Sequence, residues 1–298
     1  ASMRAYVPDM VEMAQQLMET FERQSRAGRA IDIPAEMTKL TLDTIALCGF
    51  SYRFNSFSQE EQHPFVEAMV TVLTEQQNSV ARPAALNKVM IGAKRRVDAA
   101  SKVMNDIVSE IISSRRQAGP LQGREDLLEH MLHGVDKQTG ESLPDENIRA
   151  QCLTFLVAGH ETTSGLLSFA TYYLMKNPQL AAKAQAEVDR VLGTDLSAPP
   201  TYEQIHSLTY VQQILEETLR LWPTAPAFTR GPKSEAGEVL GGKYFIPHGT
   251  GCMVALLAVQ RDKSVWGADA DEFNPDRFSP EAKEAHPVSA YFPFGTGA

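Results

Sequence analysis

A mainly α fold with minor β, organised around one long helix through the core, is what three features of this 298-residue sequence predict. Apolar residues recur at helical spacing over most of the chain. One stretch, from near Asp145 to just before Pro178, keeps that period far longer than an ordinary globular helix. Strand-like segments come only late and short, around residues 239–245 and 252–258, with Pro247-His248-Gly249 as the turn between them.

The elements follow in order. Tyr6, Met10, Met13, Ala14, Leu17 and Phe21 fall on one helix face with no capping residue ahead of them, an abrupt start that suggests upstream sequence. Phe65, Met69, Val72 and Leu73 form a second stripe and Val103, Ile107 and Ile111 a third. Leu127, Leu128, Met131 and Leu132 form a fourth, closed by turn-like Gly134 and Gly140. Residues 117–125 and 193–201, polar and holding Pro and Gly, read as surface loops. The long helix takes Asp145 as its N-cap after Pro144, and a further helix runs from about Thr201 to Trp222 and stops at Pro223. No repeat, low-complexity tract or domain linker interrupts the chain.

Composition excludes several function classes. With 43% apolar residues the chain can bury a substantial core, and a net charge of -9 argues against a polyanionic partner such as nucleic acid. The basic cluster Lys94-Arg95-Arg96 reads as a solvated face. Cys48, Cys152 and Cys252 are odd in number, far apart and free of any C-x-x-C pair, so buried free thiols in a reducing, cytoplasmic setting are expected. No apolar run approaches the roughly 18 residues of a membrane span.

Ala158-Gly159-His160-Glu161-Thr162-Thr163 places small and polar residues in the middle of the long apolar helix. A glycine in a helix interior costs about 1 kcal/mol relative to alanine. The Ala158-Gly159 pair offers in return a flat surface for a planar ligand. Thr162, one turn beyond Ala158, can bond back to its carbonyl and open a notch for a small ligand, and Glu161, if buried beside it, can pass protons inward. A helix that tolerates Gly and Thr where another helix crosses it is the competing reading. Zinc hydrolysis is a second rival, because His160-Glu161 begins an H-E-x-x-H motif, but Ser164 stands where the second histidine must be.

Glu217 and Arg220 lie three apart, and Glu217 shares a face with Tyr210, Ile214 and Leu221, which predicts burial, whereas Glu216 points away. A buried carboxylate needs its charge matched, and Arg220 supplies a planar, permanently charged partner, with Arg277 of Phe273-Asn274-Pro275-Asp276-Arg277-Phe278 as a further member.

Taken together the sequence resembles the cytochrome P-450 monooxygenases. The resemblance rests on A-G-x-E-T-T at 158–163, E-x-x-R at 217–220, P-x-R-F at 275–278 and the opening of F-x-x-G-x-R-x-C at 294–298. It is closer still to the haem domain of the self-sufficient fatty-acid hydroxylases, through segments 40–45, 52–57 and 219–228. What this implies is a partial P-450 fold over residues 1–298, without the family's N-terminal part and with the axial cysteine expected three positions after Ala298. It implies heme b (haem) iron as cofactor, with FAD, FMN and NADPH acting through a flavin reductase, and dioxygen plus a lipophilic substrate as partners. By the resemblance, Glu161 and Thr162 deliver protons during dioxygen activation, Ala158 and Gly159 lie over the haem, and Phe294 and Gly297 border it on the thiolate side. Val157, Ala158, Thr224, Ala225, Met69 and Leu73 line the substrate pocket, and Glu217, Arg220 and Arg277 brace the fold. The implied activity is hydroxylation of a long-chain fatty acid or similar molecule. Its rivals are a non-catalytic helical fragment that cannot hold haem for want of the axial cysteine, and a helical lipid-binding protein.

Overall fold

The structure, a computed structural model, describes residues 2–59, 61–83, 86–87, 90–119, 125–193, 198–285, 287 and 290–295. Its contacts divide into two compact units, Ala1–Ser164 with Pro199–Tyr202, and Gly165–Ala198 with Glu203–Ala298.

The first unit is helical. It holds α1 (Ser2–Arg26), α2 (Ile33–Phe50), a 3-10 turn (Ser56–Ser58), α3 (Pro64–Ala81), α4 (Ile91–Ala118), α5 (Leu127–His133) and the first part of α6 (Asp145–Lys176). Local chemistry sets several of these ends. Asp32 accepts from the Ala35 amide at 3.1 Å with proline next in the first turn, and His63 Nδ1 accepts from the Phe65 amide at 3.1 Å behind Pro64. Asp126 caps α5 by accepting from the Glu129 amide at 2.9 Å. The same carboxylate takes two bonds from Arg115, at 2.9 and 2.6 Å, and one from the Ser51 hydroxyl at 2.8 Å. Arg115 also donates to the Phe50 carbonyl, so one buried ion pair ties the ends of α2, α4 and α5 together. The core between these helices is built from Leu42, Ala46, Phe50, Phe65, Met69, Val108, Ile111, Leu128, Ile148, Cys152 and Leu156.

The second unit continues with the remainder of α6, then α7 (Pro178–Leu192), α8 (Tyr202–His206), α9 (Thr209–Leu221) and a late β-containing region. Strand β1 (Ala227–Arg230) pairs antiparallel with β4 (Cys252–Ala255), and β2 (Glu238–Leu240) with β3 (Tyr244–Ile246). Two small clusters form its core, one of Ala170, Ala184, Tyr210 and Ile214 and one of Trp266, Ala270, Phe278 and Ala290. The Glu187 carboxylate of α7 accepts from the Tyr210 and Val211 amides and the Thr209 hydroxyl, satisfying donors that the N-terminus of α9 leaves open. Burial pushes that carboxyl up, but these bonds outweigh it and hold Glu187 below the ordinary value.

The mainly α class, the long helix and its stop before Pro178 are as expected, while several details differ. Asp145 is the first residue of α6 rather than its cap, and its carboxylate pairs with Arg116. On α1 the buried positions are Met13, Leu17 and Thr20, with Ala14 exposed. The buried face of α4 runs through Ala100, Met104, Val108 and Ile111, leaving Val103 exposed. The helix expected over 201–222 is two helices broken at Ser207-Leu208, because the Glu187 cap starts α9 afresh there. Strand pairing also departs from the expectation: residues 239–245 form a hairpin turning at Gly241-Gly242, and the segment after Ala255 coils into a helical turn. Residues 120–124 and 194–197 of the two expected loops, and Gly297, lie outside the described residues. Among the described residues no helix is long and apolar enough to cross a membrane, and all three cysteines are free thiols.

Candidate functional site

In the first unit the site residues sit on one turn of α6 that presents two unlike faces. Leu156 and His160 are buried against the core, whereas Ala158, Glu161 and Thr162 are exposed beside Phe155, itself 37% exposed. The spacing 155, 158, 162 is one helical stripe, so the middle of the helix carries an uncovered facet of a ring, a methyl and a hydroxyl. Thr162 Oγ1 donates to the Ala158 carbonyl at 2.9 Å, the back-bond expected from the sequence. Glu161 is exposed rather than buried.

Gly159 has a different geometry from Ala158. A Cβ built there would lie 2.9 Å from Ile45 Cγ1, so the missing side chain lets α6 approach α2 and is a packing requirement. The flat surface attributed to both residues therefore belongs to Ala158. His160 Nδ1 lies 2.7 Å from the Leu156 carbonyl, which only accepts, so Nδ1 carries the proton and the buried Nε2 has no partner among the described residues. Burial holds this ring below the ordinary histidine value, against the pull of Leu156 and Glu161. With His160 turned inward and Glu161 outward, the pair does not form half of a zinc site.

In the second unit Glu217 and Arg220 are both fully buried on α9. Arg220 Nε donates to Glu217 Oε2 at 2.6 Å and one Nη to Oε1 at 2.8 Å. Its remaining N–H groups reach the carbonyls of Gln260, Ala270 and Glu272, so all five donors are used, with the guanidinium over the Trp266 ring. Burial pushes the Glu217 carboxyl up, and Arg220, the Asn274 amide and Arg277, 3.7 Å away, pull it back. Arg277 donates to the carbonyls of Trp266 and Asp269. The three-residue network expected from the sequence is present, and Glu216 is set apart from it, paired with Lys283.

Gln260, which no motif flags, completes the arrangement. Fully buried, it donates to the carbonyls of Leu219 and Arg220 and accepts from the Phe292 amide at 3.2 Å. That amide opens the turn from Phe292 to Gly295, which needs a glycine at φ 75° and holds Phe294 87% exposed. Of the expected pocket residues, Met69 is 3% exposed and belongs to the core, and Leu73 and Val157 pack against it half-buried. Thr224 is half-buried with its methyl toward Gly165, and Ala225 is exposed.

A planar haem can be tested against these features. The Ala158 facet fits the face of such a group, having a small, exposed side chain. None of the three thiols fits the axial position. Burial pushes Cys152 up to about 12, which keeps it protonated, Cys48 is buried, and Cys252 stands in the β1–β4 ladder.

The chain is 49% identical over 296 residues to the bifunctional cytochrome P450/NADPH–P450 reductase 1 of Bacillus subtilis (strain 168), covering 99% of this chain and 27% of that protein. It is 47% identical over 297 residues to the bifunctional cytochrome P450/NADPH–P450 reductase of Bacillus cereus, covering 99% and 27%. A self-sufficient cytochrome P450 monooxygenase of Phanerodontia chrysosporium is 46% identical over 297 residues, covering 100% and 27%. The chain thus spans about a quarter of the length of the curated relatives it matches. A family model described as cytochrome P450 covers residues 1–298, and the chain belongs to that family.

Proposed function

We propose that this chain is the haem-binding part of a self-sufficient monooxygenase. The whole protein inserts one oxygen atom of dioxygen into an unactivated C–H bond of a long-chain fatty acid or similar lipophilic substrate. Electrons come from NADPH through FAD and FMN of a reductase. The observation that carries the reading is the facet of α6 on which Ala158 and Thr162, joined by the Thr162 back-bond, stand exposed with Glu161 beside them, while Leu156, His160 and Ser164 of the same turns are buried. The reductase part of the reading is supported by the names of the relatives, and the lipophilic substrate by the resemblance of segments 40–45, 52–57 and 219–228.

Haem, when bound, would supply dioxygen activation. The chain's own residues do the rest. Ala158 offers a methyl where a larger side chain would hold a planar group off the helix. The Thr162 hydroxyl, while donating to Ala158, keeps its lone pairs free to accept from a small ligand or water on the facet, and a change of rotamer releases its proton. Glu161, next in the chain and exposed, can exchange protons with solvent and feed that hydroxyl. Arg220 and Gln260 hold the turn that carries Phe294 through the Phe292 amide. Phe294 and Gly297 would border the haem, and Val157, Thr224 and Ala225 the substrate, with Leu73 at its margin.

The test is the full-length protein supplied with NADPH, isotopically labelled dioxygen and a long-chain fatty acid. A hydroxylated product carrying one labelled oxygen atom is expected. A colourless protein, or NADPH oxidation without oxygenated product from any lipophilic substrate offered, overturns the reading, and the first of these is the behaviour of a helical remnant.

A further inference from the structure

Four successive carbonyls in the α6 turn each lie within hydrogen-bond distance of a side-chain hydroxyl. Thr162 reaches Ala158 at 2.9 Å, Thr163 reaches Gly159 at 3.0 Å and Ser164 reaches Glu161 at 3.0 Å, all from within α6. The fourth is different, because the His160 carbonyl is reached at 3.0 Å by Thr41 of α2, 119 residues away in sequence. Thr41 is 5% exposed, and its hydroxyl also lies 2.9 Å from the Met37 carbonyl and 3.4 Å from the Thr38 carbonyl of its own helix. A hydroxyl has one proton, so these three carbonyls compete for it.

Thr41 and Ile45 are one turn apart and share a face of α2. Both meet α6 at adjacent residues, Ile45 at the bare Cα of Gly159 and Thr41 at the carbonyl of His160. Together they form a two-point contact, one steric and one polar, on the inner side of the turn whose outer side carries Ala158, Glu161 and Thr162. A single apolar contact lets a helix slide and roll. Adding a directional bond to the neighbouring backbone fixes both motions.

We propose that Thr41 is a positioning residue, which acts through the His160 carbonyl to hold the 158–162 turn in the rotation that presents the Thr162 hydroxyl. The consequence for catalysis rests on the monooxygenase reading. Productive turnover converts RH + O2 + NADPH + H+ to ROH + H2O + NADP+. A turn that rolls delivers protons at the wrong point, and the same reductant is lost as O2 + NADPH + H+ going to H2O2 + NADP+. Thr41 therefore sets the share of electrons that reach product, with no contact of its own to substrate or cofactor.

Two measurements on the full-length holoprotein test this, with Thr41→Val removing the hydroxyl at nearly constant volume and Thr41→Ser restoring it. Hydrogen exchange read on peptides covering residues 157–166 is expected to speed up roughly fivefold in T41V, the equivalent of one neutral hydrogen bond. It should return to the parent rate in T41S, while peptides from α4 stay unchanged in both. Product formed per NADPH is expected to fall about as far in T41V, with peroxide making up the difference, and to recover in T41S. Unchanged exchange at 157–166 in T41V overturns the proposal whatever the activity does, as does an equal rise in α4, which marks general destabilisation. Faster local exchange with unchanged coupling leaves the latch in place and overturns its catalytic role. If the parent protein makes no oxygenated product, the monooxygenase reading fails by itself, and the exchange result still decides whether Thr41 holds the turn.

Discussion

At the scale of single residues, the Glu217–Arg220 pair shows why some sequence signals are trustworthy and others are not. E-x-x-R is common by chance, but Glu217 on one face with Tyr210, Ile214 and Leu221 had to be buried, and a buried carboxylate demands a fixed cation. All five donors of Arg220 are used, so Arg220→Ala strands both a carboxylate and three carbonyls. A loss of about 3–5 kcal/mol is expected, read as a drop in the denaturation midpoint with the slope unchanged, and a variant of near-parental stability contradicts the account. His160 gives a pH prediction of definite sign. Burial holds its ring below the ordinary value of 6.5 in the folded protein, so between the two values the unfolded chain takes up a proton that the folded one does not. The unfolded state therefore binds more protons below that pH, and stability is lost as pH falls from there. His160→Phe should flatten the slope as pH falls from about 6.5, leaving a remainder from His63, also depressed by burial. Asp126 and Glu187, held below their ordinary values, act only in the carboxylate range below about pH 4.5. Identical slopes in parent and variant would rule His160 out.

At the scale of elements, α6 was legible from the apolar flanks on either side of residues 158–164 and from Pro178 after its end, while its start was misplaced by one residue. The break at Ser207-Leu208 was not, since neither residue is a helix breaker and the cause is the Glu187 cap, which comes from another helix. Strand β1 escaped because its pairing with β4, as Phe228 to Val254, joins segments too short to show a period. Gly159 illustrates the same limit. Its place in a long helix signals a close approach, but sequence does not say whether ligand or protein approaches, and the partner is Ile45. The role of Thr41 was hidden for the same reason. Gly159→Ala gains about 1 kcal/mol of helix propensity and meets an overpacking cost of about 1–3 kcal/mol. Ile45 is β-branched, and its Cδ1 also lies within 3.2 Å of the added carbon, so it yields poorly and the cost should win. In urea titrations the substitution is expected to destabilise the parent and to do so less in an Ile45→Ala background. Equal effects in both backgrounds would show that this contact is not what the glycine serves.

At the scale of the whole molecule, the family pattern runs from residue 1 to residue 298, yet the chemistry proposed needs an axial thiolate that Cys48, Cys152 and Cys252 do not supply. The central claim, that this chain is the haem-facing part of a haem-thiolate oxygenase, therefore stands on the full-length protein. Its most direct test is the absorption spectrum of that protein, reduced under carbon monoxide. The account predicts a Soret band at the red-shifted position typical of thiolate ligation. A protein without haem, or a band at the position typical of histidine ligation, would contradict it.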